Sequence, residues 1–68
     1  MNMEIVLNGE PRAVEAGATV LSLVASLSLP ATRVAVERNR AIIRKSDYGT
    51  TALADGDRIE IVTFVGGG

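Results

Sequence analysis

Met3-Glu4-Ile5-Val6-Leu7-Asn8-Gly9-Glu10-Pro11-Arg12-Ala13-Val14-Glu15 is the stretch on which the fold turns. Met3, Ile5 and Leu7 alternate with Glu4, Val6 and Asn8, the period of a strand with one buried face. Asn8-Gly9 follows at once. It is a strong hairpin signal, because a type I′ turn needs positive φ at both central residues. The return strand, Glu10 to Glu15, contains Pro11. Proline donates no ladder hydrogen bond, so this strand belongs at a sheet edge.

Ala16-Gly17 breaks the hairpin, and Thr19 then reads as a helix N-cap. Val20, Leu23, Val24 and Leu27 fall at i, i+3, i+4 and i+7, one face of a helix that ends near Ser28, with Pro30 as its stop. Val34 and Val36 mark a third strand, Arg38-Asn39 a turn, and Ala41-Ile42-Ile43 a short fourth strand. Arg44 to Leu53 is irregular and polar, with Tyr48-Gly49 closing a short turn. Asp55-Gly56 is a second tight-turn signal and launches a last strand from Arg58 to Phe64.

The order ββαββ-loop-β predicts an α+β fold: a mixed sheet of four to five strands with one helix across one face. The first and last strands pair as central neighbours. Met3, Ile5, Leu7, Val20, Leu23, Val24, Leu27, Val34, Val36, Ile59 and Ile61 point inward. Val6, Val62 and Phe64 are left on the uncovered face, with Val65 following, as a surface for docking a partner.

Composition narrows the function. Sixty-eight residues, 47% of them apolar, make one small domain with an economical core. There is no Cys and no His, which removes thiolate chemistry, zinc-thiolate sites and the commonest general base. The five Glu and three Asp are scattered and match no metal-binding spacing. Seven basic against eight acidic side chains give a net charge of −1, which offers no long-range attraction to nucleic acid. No apolar run approaches a membrane span, and Met1-Asn2-Met3-Glu4 lacks a signal peptide's positive region. A soluble, cytoplasmic monomer without catalytic residues, metal or cofactor of its own is expected.

Residues 1–65 form the domain in this reading, and Gly66-Gly67-Gly68 a flexible tail. Glycine loses the most backbone entropy on ordering and packs no side chain, so three in succession are poor structure. They make sense as a thread through a slot too narrow for any Cβ, presenting the carboxylate of Gly68 to a partner's active site. The plain alternative is a frayed terminus.

The Asn8-Gly9 hairpin, Val36-Glu37-Arg38-Asn39, Ile42-Ile43-Arg44-Lys45, Asp55-Gly56-Asp57 and Ile61-Val62 through Phe64-Val65-Gly66-Gly67-Gly68 together resemble the ThiS family. Its members are the small sulfur carriers of thiamine thiazole biosynthesis, with a ubiquitin-like β-grasp fold. Tyr48 stands where the family often has Trp. The resemblance implies a cycle run by other proteins. A ThiF-type, E1-like adenylyltransferase using ATP and Mg would adenylate Gly68. A persulfide derived from a cysteine desulfurase would convert it to a thiocarboxylate. Thiazole synthase, ThiG, would accept the sulfur. A MoaD-type carrier for molybdopterin shares the fold and tail, and a ubiquitin-like interaction or conjugation module remains a third reading.

Arg38, Arg40, Arg44 and Lys45 lie within eight residues, just after Arg33. They read either as a charged strand edge that discourages pairing with other chains or as a rim that steers docking onto an acidic surface. Asp55 and Asp57 read as turn residues only.

Overall fold

Asn8 and Gly9 take φ of +50° and +85°, the two left-handed positions of a type I′ turn. That turn joins β1 (Asn2–Leu7) to β2 (Glu10–Glu15) in an antiparallel pair that opposes Val6 and Pro11. The structure, a computed structural model, describes residues 1–64. Val65, Gly66, Gly67 and Gly68, which the sequence reading assigns to the tail and its root, lie outside the described residues.

Helix α1 (Val20–Ser26) is only seven residues long, too short to persist alone in water. Three things hold it. Thr19 and Ser22 form a reciprocal capping box: the Ser22 N–H donates to Thr19 Oγ1 at 3.1 Å and the Thr19 N–H to Ser22 Oγ at 2.8 Å. Two more amides of the first turn, those of Val20 and Leu21, donate to the carbonyls of Thr51 and Tyr48, which satisfies donors that a helix leaves open. Val20, Leu23 and Val24 are buried against the sheet.

The remaining strands are β3 (Val34–Arg38), β4 (Ala41–Ile43) and β5 (Arg58–Thr63). Spatial order is β2-β1-β5-β3-β4, with β1 and β5 parallel and the other pairs antiparallel. The first and last strands are therefore neighbours, as the element order requires, and β5 is the middle strand.

The core comprises Ile5, Val20, Leu23, Val24, Val34, Val36, Tyr48, Leu53, Ile59 and Ile61. The inward set read from periodicity is present, with Met3, Leu7 and Leu27 partly buried at its margin. Tyr48 and Leu53 are additions. The segment from Arg44 to Leu53 lacks periodicity because it is one 3-10 turn, Lys45–Asp47, followed by a further turn and a single bridge from Ala52 to Thr19. It nevertheless returns Tyr48 and Leu53 to the core and pins itself to the start of α1, with the Leu53 N–H donating to the Ala18 carbonyl.

The second hairpin turn is displaced by one residue from the expected Arg38-Asn39. Asn39 and Arg40 take the left-handed positions, at φ of +51° and +72°, while Arg38 stays in β3 opposite Ala41. The displacement has a consequence for Arg38, since it remains fixed in the sheet.

Candidate docking face and carboxyl-terminal strand

Alternation along β5 sends Ile59 and Ile61 into the core and Arg58, Glu60 and Val62 to the face that α1 leaves uncovered. Phe64 continues the series, and its N–H still donates to the Arg33 carbonyl at 2.8 Å. Val62 is 59% exposed and Phe64 54% exposed. Ala35 lies opposite Val62 on β3. The middle strand thus carries an apolar patch, Val62 and Phe64, that lies four and two residues ahead of Gly66 in the sequence.

Register separates one expected member from this patch. Val6 pairs with Arg58, four residues up β5 from Val62, roughly 13 Å at the rise of a strand. It is also half-buried. Val6 shares the face but not the patch. Ile42, 69% exposed, belongs to the same face and was not picked out by sequence reading. It lies opposite Glu37, which in turn lies opposite Glu60, and a three-residue strand is too short for its alternation to be legible in advance.

The basic cluster divides. Arg40 and Arg44 are exposed. Arg38 does not join them: its Nε donates to Asp57 Oδ2 at 2.8 Å in the ion pair of the described residues. Lys45 Nζ donates to the Thr32 carbonyl at 2.9 Å. Arg38 and Lys45 are thus tied into the domain by their side chains, while Arg40 and Arg44 have no such contact among the described residues.

The reading of Asp55 and Asp57 as turn residues alone is also corrected. Asp55 Oδ1 accepts from the Glu4 N–H at 2.8 Å, tying the turn to β1. Asp57 is 5% exposed and accepts from the Ala54 N–H at 2.8 Å, Arg38 Nε at 2.8 Å and Asn39 Nδ2 at 3.1 Å. Burial by itself pushes its carboxyl up. The Ala54 amide, the Arg38 guanidinium and the Asn39 carboxamide outweigh that and hold it below the usual carboxylate range. Asn39 Oδ1 closes the circuit by accepting from the Arg58 N–H at 2.9 Å. This network fixes where β5 begins, and so the course of the strand that leads into the tail.

Asn8 fixes the same strand further along. Its Oδ1 accepts from the Ile61 N–H at 2.9 Å and its Nδ2 donates to the Ile61 carbonyl at 3.3 Å. The carboxamide stands in for a peptide group and extends the β1–β5 ladder past the end of β1. No sequence signal separates this role from the turn preference that Asn8 already satisfies.

Among the described residues no group of three His, Cys, Asp or Glu side chains could hold a metal ion. A family model, that of the ThiS family, matches residues 5–68. The chain belongs to the ThiS family. Sulfur carrier protein ThiS of Bacillus subtilis is 52% identical over 50 residues, which cover 74% of this chain and 76% of that protein. A thiazole synthase of Paramagnetospirillum magneticum is 48% identical over 66 residues, 97% of this chain but 20% of that protein. The chain thus spans about a fifth of the thiazole synthases it matches. The crystal structure of a thiamine biosynthesis protein, ThiS, from Geobacter metallireducens superposes with a TM-score of 0.81 at 32% identity, covering 97% of this chain and all of that one. The β-grasp fold expected from the sequence is therefore the fold of its family.

Proposed function

We propose that this chain is a sulfur carrier of thiamine biosynthesis, acted on by enzymes and not itself one. The observation that carries the proposal is the placement of β5. The middle strand, anchored at its start by Asp57 and Asn39 and at Ile61 by the Asn8 carboxamide, exposes Val62 and Phe64 immediately ahead of Val65-Gly66-Gly67-Gly68 in the sequence. A partner that grips this face holds the glycines at a fixed distance from its own active site, which replaces a search by a flexible arm with a positioned delivery.

In this reading the carboxylate of Gly68 is the working group. At neutral pH a carboxylate is ionised and unreactive, so a sulfur nucleophile needs a better leaving group. A ThiF-type adenylyltransferase supplies it with ATP and Mg, forming the acyl-adenylate. The terminal sulfur of a cysteine desulfurase-derived persulfide then attacks the acyl-adenylate and displaces AMP, giving an acyl disulfide. A thiol cleaves its S–S bond, pairing with the donor's sulfur as a disulfide and leaving the thiocarboxylate on Gly68. Gly66 and Gly67 pass through the narrow approach to that active site, and Val62, Phe64 and Val65 form the grip, with Arg40 and Arg44 at its rim. A thiazole synthase is the acceptor, a choice supported by the segment like this chain within two proteins of that name.

Intact-mass analysis of the protein after incubation with a ThiF-type enzyme, ATP, Mg, a persulfide donor and a thiol tests the proposal. The expected product carries one sulfur in place of one oxygen, mapped by fragmentation to Gly68. An unchanged mass under conditions that convert the Bacillus subtilis carrier would defeat it.

A further inference from the structure

Strands at the border of a sheet expose unpaired N–H and C=O groups, and proteins guard such edges with proline, charge or brevity. Both outer edges of this sheet are guarded. On β2, Pro11 takes a position opposite Val6, and Glu10, Arg12 and Glu15 add charge. On β4 there are only three residues, followed by Arg44 and Lys45 and preceded by Arg40.

A third edge lies inside the sheet and has no guard. β1 pairs with β5 only at Val6↔Arg58 and Leu7↔Ile59, because the chain turns away at Asn8-Gly9. Along the β1 side of β5, the Ile59 carbonyl accepts from the Asn8 N–H at 2.9 Å, and Ile61 is satisfied by the Asn8 carboxamide. Thr63 is next in that alternating series. On its other side β5 remains covered by β3 through Val34↔Thr63. No strand among the described residues pairs with Thr63 from the β1 side. The stretch Ile61-Val62-Thr63-Phe64 has neither charge nor proline.

We propose that Thr63 is a strand-addition site, at which an extended, uncharged segment of the enzyme acting on Gly68 adds to β5 as a sixth strand collinear with β1. The proposal rests on the carrier function proposed above. The incoming strand takes the N–H and C=O of Thr63 by main-chain pairing, and lays its apolar side chains beside the exposed Val62 and Phe64. Backbone pairing fixes register as well as contact. Gly68 comes five positions after Thr63, so a strand bonded at Thr63 limits the carboxylate to a reach of roughly 17 Å. The apolar face supplies adhesion and the open edge supplies the measure.

The test uses Thr63→Pro, which removes the outward N–H as Pro11 does on β2, beside Thr63→Ala, which keeps the amide and loses the side chain. Val62 precedes the new proline in an extended conformation, the one proline favours for its predecessor. A second probe, an amide-to-ester replacement at the Val62–Thr63 bond, deletes the same N–H without the ring. Binding to a ThiF-type adenylyltransferase is measured by titration calorimetry, and adenylation by pyrophosphate exchange. Expected are about tenfold weaker binding for Thr63→Pro and for the ester, the scale of one interfacial hydrogen bond, and wild-type binding for Thr63→Ala. Wild-type adenylation with undiminished binding of the ester overturns the strand-addition site and leaves the carrier reading standing. A wild-type chain that is not adenylated at all overturns both.

Discussion

Replacing Asp57 with asparagine removes the charge on which three donors converge. With the amide oxygen at the Oδ2 position, the Ala54 N–H and Arg38 Nε keep an acceptor but Arg38 loses its counter-charge, and Asn39 Nδ2 then faces an amide NH2. A hydrogen bond to a charged group contributes about 1.5–3 kcal/mol net. The Arg38 side chain is one-third exposed and recovers part of its loss from water, which brings the expected cost to about 2 kcal/mol by the same scale. For a domain of this size total stability is on the order of 3–10 kcal/mol, and the melting temperature should fall by roughly 8–16 °C. The pH dependence has a definite sign. A carboxyl held below its usual range contributes its full stabilisation above the unfolded-state value, near about 3.9, and loses it as pH falls through the folded value. Urea melts of wild type and Asp57→Asn from pH 7 down to pH 2 should show a gap that is constant above about pH 5 and closes in acid. The difference between the two proteins isolates Asp57 from the other seven acidic side chains. A gap below about 0.5 kcal/mol at pH 7, or one that does not narrow in acid, would refute the assignment of a buried, charge-stabilised anchor.

The two faces of β5 give a second test. Ile61→Ala empties a core position and should cost about 2–5 kcal/mol in a denaturant melt. Phe64→Ala should cost less than half as much while weakening enzyme binding by roughly tenfold or more, and equal destabilisation by both would mean that the strand faces are reversed. Tyr48→Ala should destabilise by about 3–5 kcal/mol, as for a buried aromatic. Tyr48→Phe should stay within about 1 kcal/mol of wild type by urea melt, because its hydroxyl reaches the Val34 carbonyl only at 3.4 Å.

The local signals along this chain determined its elements. Alternation at Met3, Ile5 and Leu7, the Asn8-Gly9 turn, the Thr19 cap and the spacing of Val20, Leu23, Val24 and Leu27 are properties of neighbours in sequence, and each survives in the structure. The element order then fixed the pairing of the first and last strands, and the outward phase of Val62 and Phe64 followed from alternation alone. Tertiary structure decided what depends on residues far apart in the chain. Tyr48 and Leu53 enter the core from an aperiodic segment because the gap beside α1 must be filled and the helix's open amides need acceptors. Arg38 is held at Asp57, nineteen positions away, because that buried carboxylate is satisfied by a cation and amides. Val6 parts from Val62 through the parallel register of β1 and β5. Asn8 becomes a surrogate peptide for Ile61, across a separation of fifty-three positions. Periodicity reports which way a side chain faces. Partners are set by register and by the need to satisfy every buried polar group, and those are decided only when distant strands meet.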